Sequence, residues 1–425
     1  MSPTLTFPTL PDGGRSVGAP ARTGERLLLA DVELPRGGPA DPVRPRASET
    51  LAEHVTRLGP RPAGTPDLID VVERAGLVGH GGAHVPAAIK WRAAATGRGP
   101  LTVVADAAES EPVAAKDGTL LRQRPHLVLD GLLLTAQALG ADRAVVWVHG
   151  DDDGGRRSLR TALAERRWAD AGPQVEIIDG PVHYLAGEAS AITRGVHGGV
   201  ALPTVRRRTR DPRAPRTLVH NVETLARVAL AARGHAPTST RLLSVLGGRR
   251  AVVEVERATT FTELLTGLGW STRPQAVLLG GYGGLWAPWH RLADLPIDEA
   301  ALRAEGLTLG AGVVIPLAAD VCGLGATADL VRYLASMSAR QCGPCVFGLP
   351  ALADSVNALV DGRGAVEHLL DDAALVEGRG ACHHPDGATR LVASAVATFE
   401  ADVIAHADGQ PCGAPTRLAF PGVDG

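Results

Sequence analysis

Aromatic side chains are scarce in this chain: three tyrosines, five phenylalanines and six tryptophans make up 3% of 425 residues. That scarcity removes the stacking platforms a single-strand nucleic-acid binder needs. A charge imbalance is missing as well, since the net charge is only −3, and without a basic footprint no nucleic-acid partner is expected. No run of about 18 apolar residues occurs, so no membrane span is expected, and the N-terminus lacks the basic-then-apolar order of a signal peptide. The five cysteines are too few for a disulfide framework in a chain of this size. Lysine is nearly absent. Only Lys90 and Lys116 stand against a large excess of arginine, which marks two places where a compact ammonium is used instead of a planar fork.

What is present predicts a folded, cytoplasmic protein, with peripheral docking on a larger assembly or on the inner face of a membrane left open. Hydrophobic residues make up 45% of the chain, enough for two or three domains with cores. Residues 1–25, with Pro3, Pro8, Pro11, Gly13, Gly14 and Gly18, read as a flexible leader. A helix is predicted to begin near Ser48 and to stop at Gly59-Pro60.

From about residue 70 to 235 apolar runs alternate with helical segments. Leu101–Ala105, Ala144–Val148 and Val175–Ile178 read as buried strands, and 124–139 and 155–170 as helices. This alternation predicts βαβ units and a parallel sheet, whose ligand sites lie at the carboxyl ends of the strands. The residues with chemistry to offer cluster there. Gly76, Gly79, Gly81 and Gly82 fall within seven residues and lead into Lys90, a loop through which backbone N–H groups can approach a phosphate. Taken alone it reads more readily as a surface turn, because the strict G-x-G-x-x-G spacing is absent. Asp106, Glu109 and Glu111 follow the first strand, and Lys116 beside them is placed to neutralise a phosphate. Gly187 and Glu188 follow the third strand, with Ser190 as a helix cap. His220-Asn221-Val222-Glu223-Thr224 heads a further helix.

Residues 240–290 predict a small β-rich unit in which Gly280–Gly284 reads as a hairpin. The last hundred residues are helical, with Leu330, Val331, Leu334 and Met337 on one face and Val392, Val396, Phe399 and Val403 on another. Cys342-Gly343-Pro344-Cys345 and, later, Cys382 lie between these helices, and a C-x-x-C joined by a third cysteine supplies most of a metal or cluster site.

These stretches together resemble the NADH-binding flavoprotein subunit of respiratory complex I and its relatives in NAD-linked hydrogenases and formate dehydrogenases. The family's G-L-R-G-R-G-G-A-G-F-P-T-G-L-K-W lies over Gly76 to Trp91, and its N-A-D-E-x-E-P-G-x-F-K-D over Asp106 to Asp117. Its Y-x-x-G-E-E-T-A lies over Tyr184 to Ala191, N-N-V-E-T-L over His220 to Leu225, and S-C-G-x-C-x-P-C over Ser338 to Cys345. The resemblance implies an α/β fold with a Rossmann-like FMN domain over 70–237, after a leader and N-terminal segment over 1–69. A ubiquitin-like β-grasp (SLBB-type) domain over 238–322, a helical iron–sulfur bundle over 323–410 and a tail over 411–425 complete it. Carried over by position, Gly79, Gly81, Gly82, Lys90, Asp106, Glu109, Gly187, Glu188, Asn221 and Thr224 line an FMN site. Glu109 and Glu111 are the catalytic candidates, Glu111 towards the nicotinamide side, and Cys342, Cys345 and Cys382 hold the cluster. The implied activity passes hydride from NADH to FMN and single electrons onward. The expected partner is a ferredoxin, a thioredoxin-like iron–sulfur protein or a quinone-linked membrane complex.

The chain departs from the family at defined positions. Ala339 stands where the first cluster cysteine belongs, which leaves a [4Fe–4S] or [3Fe–4S] cluster on three cysteines, a fourth ligand from His383, His384 or Cys322, or zinc. Val85 and Ala115 replace two aromatics that would stack on the dinucleotide, so NAD(H) binding is expected to be weakened. His80 and His84 replace an arginine and a glycine of the loop and read as exposed polar residues. Ala108, Ala189 and His220 stand at further flavin-contacting positions. Two other readings follow from these losses: an NADH-independent electron relay, and a non-enzymatic scaffold that binds zinc or no metal.

Overall fold

The computed structural model of the chain describes residues 28–29, 48–166, 172–204, 213–247, 249–270, 272–410, 412 and 420–423; the leader expected over 1–25 lies outside them. The first helix, α1 (Leu51–Leu58), begins on a reciprocal cap. Thr50 accepts from the Glu53 N–H while the Glu53 carboxylate takes the Thr50 N–H, and Gly59 at φ 76° ends the helix. Helices α2 (Leu68–Arg74) and α3 (Ala87–Ala95) flank the glycine loop.

Strands β1 (Leu101–Ala107), β2 (Arg143–Val148), β3 (Val175–Asp179) and β4 (Arg216–Asn221) form a parallel sheet in the order β3-β2-β1-β4. Strands β1 and β2 are buried along nearly their whole length, which is why they read as continuous apolar runs. Helices α4 (Lys116–Gln123), α5 (Pro125–Ala138), α6 (Asp153–Arg166), α7 (Ala189–Val196) and α8 (Val222–Ala231) connect and cover the strands. The close approach of two of these helices is set by Gly131 of α5, where an added Cβ would fall 1.9 Å from the Leu225 carbonyl of α8.

A second sheet contains β5 (Thr240–Gly247), β6 (Arg249–Glu256), β7 (Ala276–Leu279), β8 (Leu285–Pro288) and β9 (Val313–Leu317) in the order β6-β5-β9-β7-β8. Only β5 and β9 run parallel among its pairs; the rest are antiparallel. A hairpin, a helix and a final strand inserted at the centre give the β-grasp arrangement. The helix α9 (Phe261–Gly267) packs Phe261 and Leu264 on one face of the sheet, with the short helices α10 (Trp289–Leu292) and α11 (Glu299–Ala304) nearby. Gly280–Gly284 forms the β7–β8 hairpin.

The other face of this sheet, through Tyr282, Trp286 and Ile315, packs on a bundle. The bundle contains α12 (Gly323–Ser336), a π-helical turn (Pro344–Gly348), α13 (Leu349–Val360), α14 (Val366–Val376), α15 (His384–Thr398) and α16 (Glu400–Ala407). Leu330, Val331 and Leu334 enter its core with Leu352, Val356 and Val392. The stripe through Val392 and Val403 is not on one helix. The chain bends at Phe399, φ −111° and ψ 37°, where the Phe399 ring meets Trp286 edge-on at 5.2 Å.

Candidate functional site

The carboxyl ends of β1 and β4, paired through Asp106 and Asn221, open onto a buried polar network. Asn221 is the N-cap of α8, accepting from the Glu223 N–H at 2.9 Å and donating to Asp117 at 2.6 Å. Lys116 reaches Asp117 at 2.8 Å and Glu223 at 3.0 Å, and Arg227 holds the other Glu223 oxygen at 2.7 Å. Burial disfavours the ammonium, yet Asp117 and Glu223 overcome this and raise its pKa. Lys116 is thus occupied within the protein and does not stand free to neutralise a phosphate, a correction to the sequence reading. Glu109 accepts from the Asp117 and Gly118 N–H groups at 3.0–3.1 Å, tying the acidic loop to the first turn of α4. Burial, with the charge of Asp117, pushes its carboxyl up to about 7. Burial likewise pushes Asp106 up to about 8. Both carboxyls can hold a proton at neutral pH.

The glycine loop sits on the head of α8. The His80 N–H donates to Thr224 Oγ1 at 2.9 Å, and an added Cβ at Gly81 would lie 3.5 Å from the Asn221 Cβ. Lys90 donates to the Val219 carbonyl at 2.5 Å, under the end of β4. His80 is not an exposed loop residue, as expected, but 6% exposed. Neither of its ring nitrogens has a hydrogen-bond partner, and Glu223 at 3.6 Å is too far to serve. Burial drives its pKa well below the usual value, so the ring is neutral. His84 is spoken for as well, pairing with Glu299 of α11 at 3.1 Å and so pinning the loop to the β-grasp unit. Across the site Gly187 passes so close to the acidic loop that a Cβ would fall 2.8 Å from the Ala108 carbonyl. Glu188, not Ser190, caps α7: its carboxylate accepts from the Ser190 and Ala191 N–H groups.

Glu111 faces another direction. One carboxylate oxygen accepts from Tyr184 Oη at 3.1 Å and from the Tyr282 N–H of the β7–β8 turn at 3.0 Å, while the other is buried without a partner. Burial pushes it up to about 7. The Tyr184 ring then meets Tyr333 and His384 edge-on at 5.7 and 5.5 Å, which carries the contact into the cysteine-bearing bundle. Tyr184, Tyr282, Asp117 and Glu223 belong to the site as much as the residues picked from sequence. The adjacency Lys116-Asp117 and the motif N-V-E-T were the available signals for two of them.

Cys342 and Cys345 bracket Pro344 at the entry to the π-helical turn, with the Cys345 and Val346 N–H groups donating to the Cys342 carbonyl at 3.1 and 3.0 Å. Burial first, then Cys342 and Cys382, push the Cys345 thiol up to about 12. Burial also raises Cys382, with the Glu188 carboxylate adding to it, so the third cysteine lies within electrostatic reach of the Gly187–Glu188 turn. The three sulfurs are not all within 4.8 Å of one another, which is too open for a single tetrahedral ion and suits a cluster in which each thiolate meets its own iron. None of the proposed fourth ligands joins them. His384 Nε2 donates to the Leu334 carbonyl at 2.8 Å, the His383 side chain is fully exposed beside Asp386, and Cys322 lies with His406, 3.5 Å away.

The donor set fits both groups that the sequence resemblance implies. A neutral imidazole with two unpaired buried nitrogens, on a glycine loop over a helix N-terminus with Lys90 alongside, suits a phosphate-bearing ligand. Three soft thiols at one end of a bundle suit iron–sulfur chemistry.

Comparison with known proteins agrees with this geometry. The Nuo51 FMN-binding domain matches residues 72–230, and the NADH-ubiquinone oxidoreductase-F iron-sulfur binding region matches residues 325–406. The corresponding NADH-quinone oxidoreductase chain of Mycobacterium bovis is 27% identical over 81% of this chain and 86% of its own length. Its counterpart in Aquifex aeolicus is 25% identical over 81% and 84%. In fold, the chain is similar to an NAD+-reducing [NiFe]-hydrogenase solved in the H2-reduced state, with a TM-score of 0.74 and 24% identity over 89% of this chain and 70% of that one. The chain belongs, as a divergent member, to the family of the NADH-binding flavoprotein of NADH-quinone oxidoreductase, which carries FMN and an iron–sulfur cluster.

Proposed function

We propose that the protein is an NADH-oxidising flavin and iron–sulfur component of a larger electron-transfer complex. The observation that carries this reading is one continuous chain of contacts. It runs from the glycine loop and the buried carboxyls at the ends of β1 and β4, through Glu111 and Tyr184, to the cysteine-bearing bundle. FMN, when bound, accepts two electrons from NADH and releases them singly.

The residues have separate tasks. The backbone of Gly79, Gly81 and Gly82, the His80 ring and Lys90 would hold the phosphate. Asn221 and Thr224 fix the loop on α8. Gly187 and Glu188 form the facing wall. Asp106 and Glu109, both able to be protonated near neutrality, would present donors or acceptors to the ring edge. Glu111, with its unpaired oxygen, holds or releases a proton on the side where hydride arrives. Cys342, Cys345 and Cys382 would hold three corners of a [4Fe–4S] cluster and leave the corner beside Ala339 to a non-protein ligand.

A ferredoxin or a thioredoxin-like iron–sulfur protein is the partner that suits this output. Phe347 and Val346, 76% and 43% exposed in the turn that follows Cys345, give such a partner an apolar contact beside the cluster. No helix of the described residues is long and apolar enough to cross a membrane, so attachment to a membrane complex on the cytoplasmic side would be peripheral.

A second reading is favoured by Val85, 40% exposed at the end of the glycine loop, and by Ala115. With no ring at either place the dinucleotide loses stacking area, and the protein would act as a relay fed by a donor other than NADH. Protein purified without air decides the cofactor question. Flavin together with iron and acid-labile sulfide in equal amounts is expected; colourless, iron-free protein contradicts both readings.

A further inference from the structure

The cysteine trio at the end of the bundle leaves two thiols unused, Cys322 and Cys412, and the fold brings both to one imidazole. Cys322 is the N-cap of α12, 1% exposed, and its sulfur accepts the Gly325 N–H at 3.3 Å. His406, 1% exposed in the last turn of α16, donates from Nδ1 to the Val360 carbonyl at 2.7 Å. A carbonyl can only accept, so Nδ1 carries the proton and the Nε2 lone pair is turned towards Cys322 Sγ, 3.5 Å away. Cys412 comes from the exposed tail, and the ligand atoms of all three residues lie within 4.8 Å of one another.

The geometry points to a zinc site formed by Cys322, His406 and Cys412, separate from the iron–sulfur cysteines. Zinc bonds of about 2.3 Å to sulfur and about 2.05 Å to nitrogen at a tetrahedral angle separate those two atoms by about 3.5 Å. The observed separation of Cys322 Sγ and His406 Nε2 is that value. The outer contacts are also those of a ligating set. The imidazole is oriented and fixed in one tautomer by a backbone carbonyl through its other nitrogen, and the thiolate is supported by a backbone N–H. Two thiolates and an imidazole leave the fourth position, on the exposed side of Cys412, to water. Binding deprotonates the two thiols and releases their protons to solvent, with no change of oxidation state.

The consequence is mechanical. Beyond Cys412 the chain reappears at Phe420–Val423. There Phe420 packs on the Tyr282 ring at 5.7 Å, and Tyr282 Oη donates to the Pro421 carbonyl at 2.7 Å. That segment lies over Tyr282 and Tyr333, next to Glu111 and the link between flavin side and cluster side. Zinc at Cys412 clamps the start of the tail whose end covers that link.

The test uses the full-length chain, untagged, incubated with zinc sulfate and desalted, with zinc and iron measured separately. Cobalt(II) substitution serves as the optical readout of thiolate ligation. The expected result is one tightly held zinc in the native chain that is lost in Cys412→Ser, whose exposed position leaves folding intact, and in His406→Gln. Cys345→Ser is expected to keep zinc while losing iron, which separates this site from the cluster and leaves it standing if the cofactor assignment fails. No retained zinc in the native chain, zinc retained undiminished in Cys412→Ser, or a Cys322–Cys412 disulfide in protein prepared without air would each overturn the assignment.

Discussion

Replacing Glu111 by glutamine isolates the cost of its burial. The carboxyl is fully enclosed, and burial raises its pKa from 4.5 to about 7 against the hydrogen bonds from Tyr282 and Tyr184. Between those values the folded protein binds a proton that the unfolded chain does not, so stability contributed by this group is present at low pH and falls as pH rises through the window. A shift of that size corresponds to a total loss of about 3 kcal/mol, of which about 2 kcal/mol lies above pH 5.5. Glutamine keeps an oxygen for Tyr184 and Tyr282, places an amide where the unpaired oxygen was, and does not titrate. Paired urea unfolding of the native chain and Glu111→Gln at about pH 5.5 and about pH 8.5 removes the contribution of every other titrating group by difference. The variant should gain about 2 kcal/mol on the native chain between the two conditions. A difference that stays constant to within about 0.5 kcal/mol across that range would refute the claim that Glu111 is protonated near neutrality.

Lys116→Met leaves Asp117 and Glu223 buried without their cation and should destabilise the protein by about 3–5 kcal/mol in urea unfolding; a loss under about 1 kcal/mol would mean that Arg227 and Asn221 suffice. Gly187→Ala places a Cβ 2.8 Å from the Ala108 carbonyl and should cost about 1–3 kcal/mol, with weakened flavin retention on gel filtration; unchanged stability and retention would show that the two loops are free to part. Ala339→Cys should raise iron retained after exposure to air by restoring a fourth thiolate. If iron retention is unaltered, Ala339 does not face the cluster.

Much of the fold was legible because its signals are local. The apolar runs of β1 and β2, the Thr50–Glu53 cap and the glycine hairpin after β7 need only neighbours in sequence. Order along the chain also located the FMN-type loop and the cysteine trio. What sequence could not supply was pairing across distance. Lys116 reads as a free phosphate ligand until Glu223, which is brought beside it by the β1–β4 pairing, claims it. Glu111 meets the Tyr282 N–H 171 residues away, a contact no motif records. His80 and His84 look like polar loop residues because nothing in the loop announces that α8 and α11 close over them. Cys322 was one thiol among several candidates for a fourth ligand, and only the packing of α12 against α16 takes it away from the cluster and towards His406.

The account stands most directly on whether NADH delivers electrons to a flavin held by this chain. Protein purified without air is monitored by absorption before and after addition of NADH, with dithionite as the control for full reduction. Flavin bands that bleach with NADH, followed by reduction of the iron–sulfur absorption, are the predicted result. Flavin that stays oxidised with NADH but is reduced by dithionite would contradict NADH oxidation and leave an electron relay with another donor.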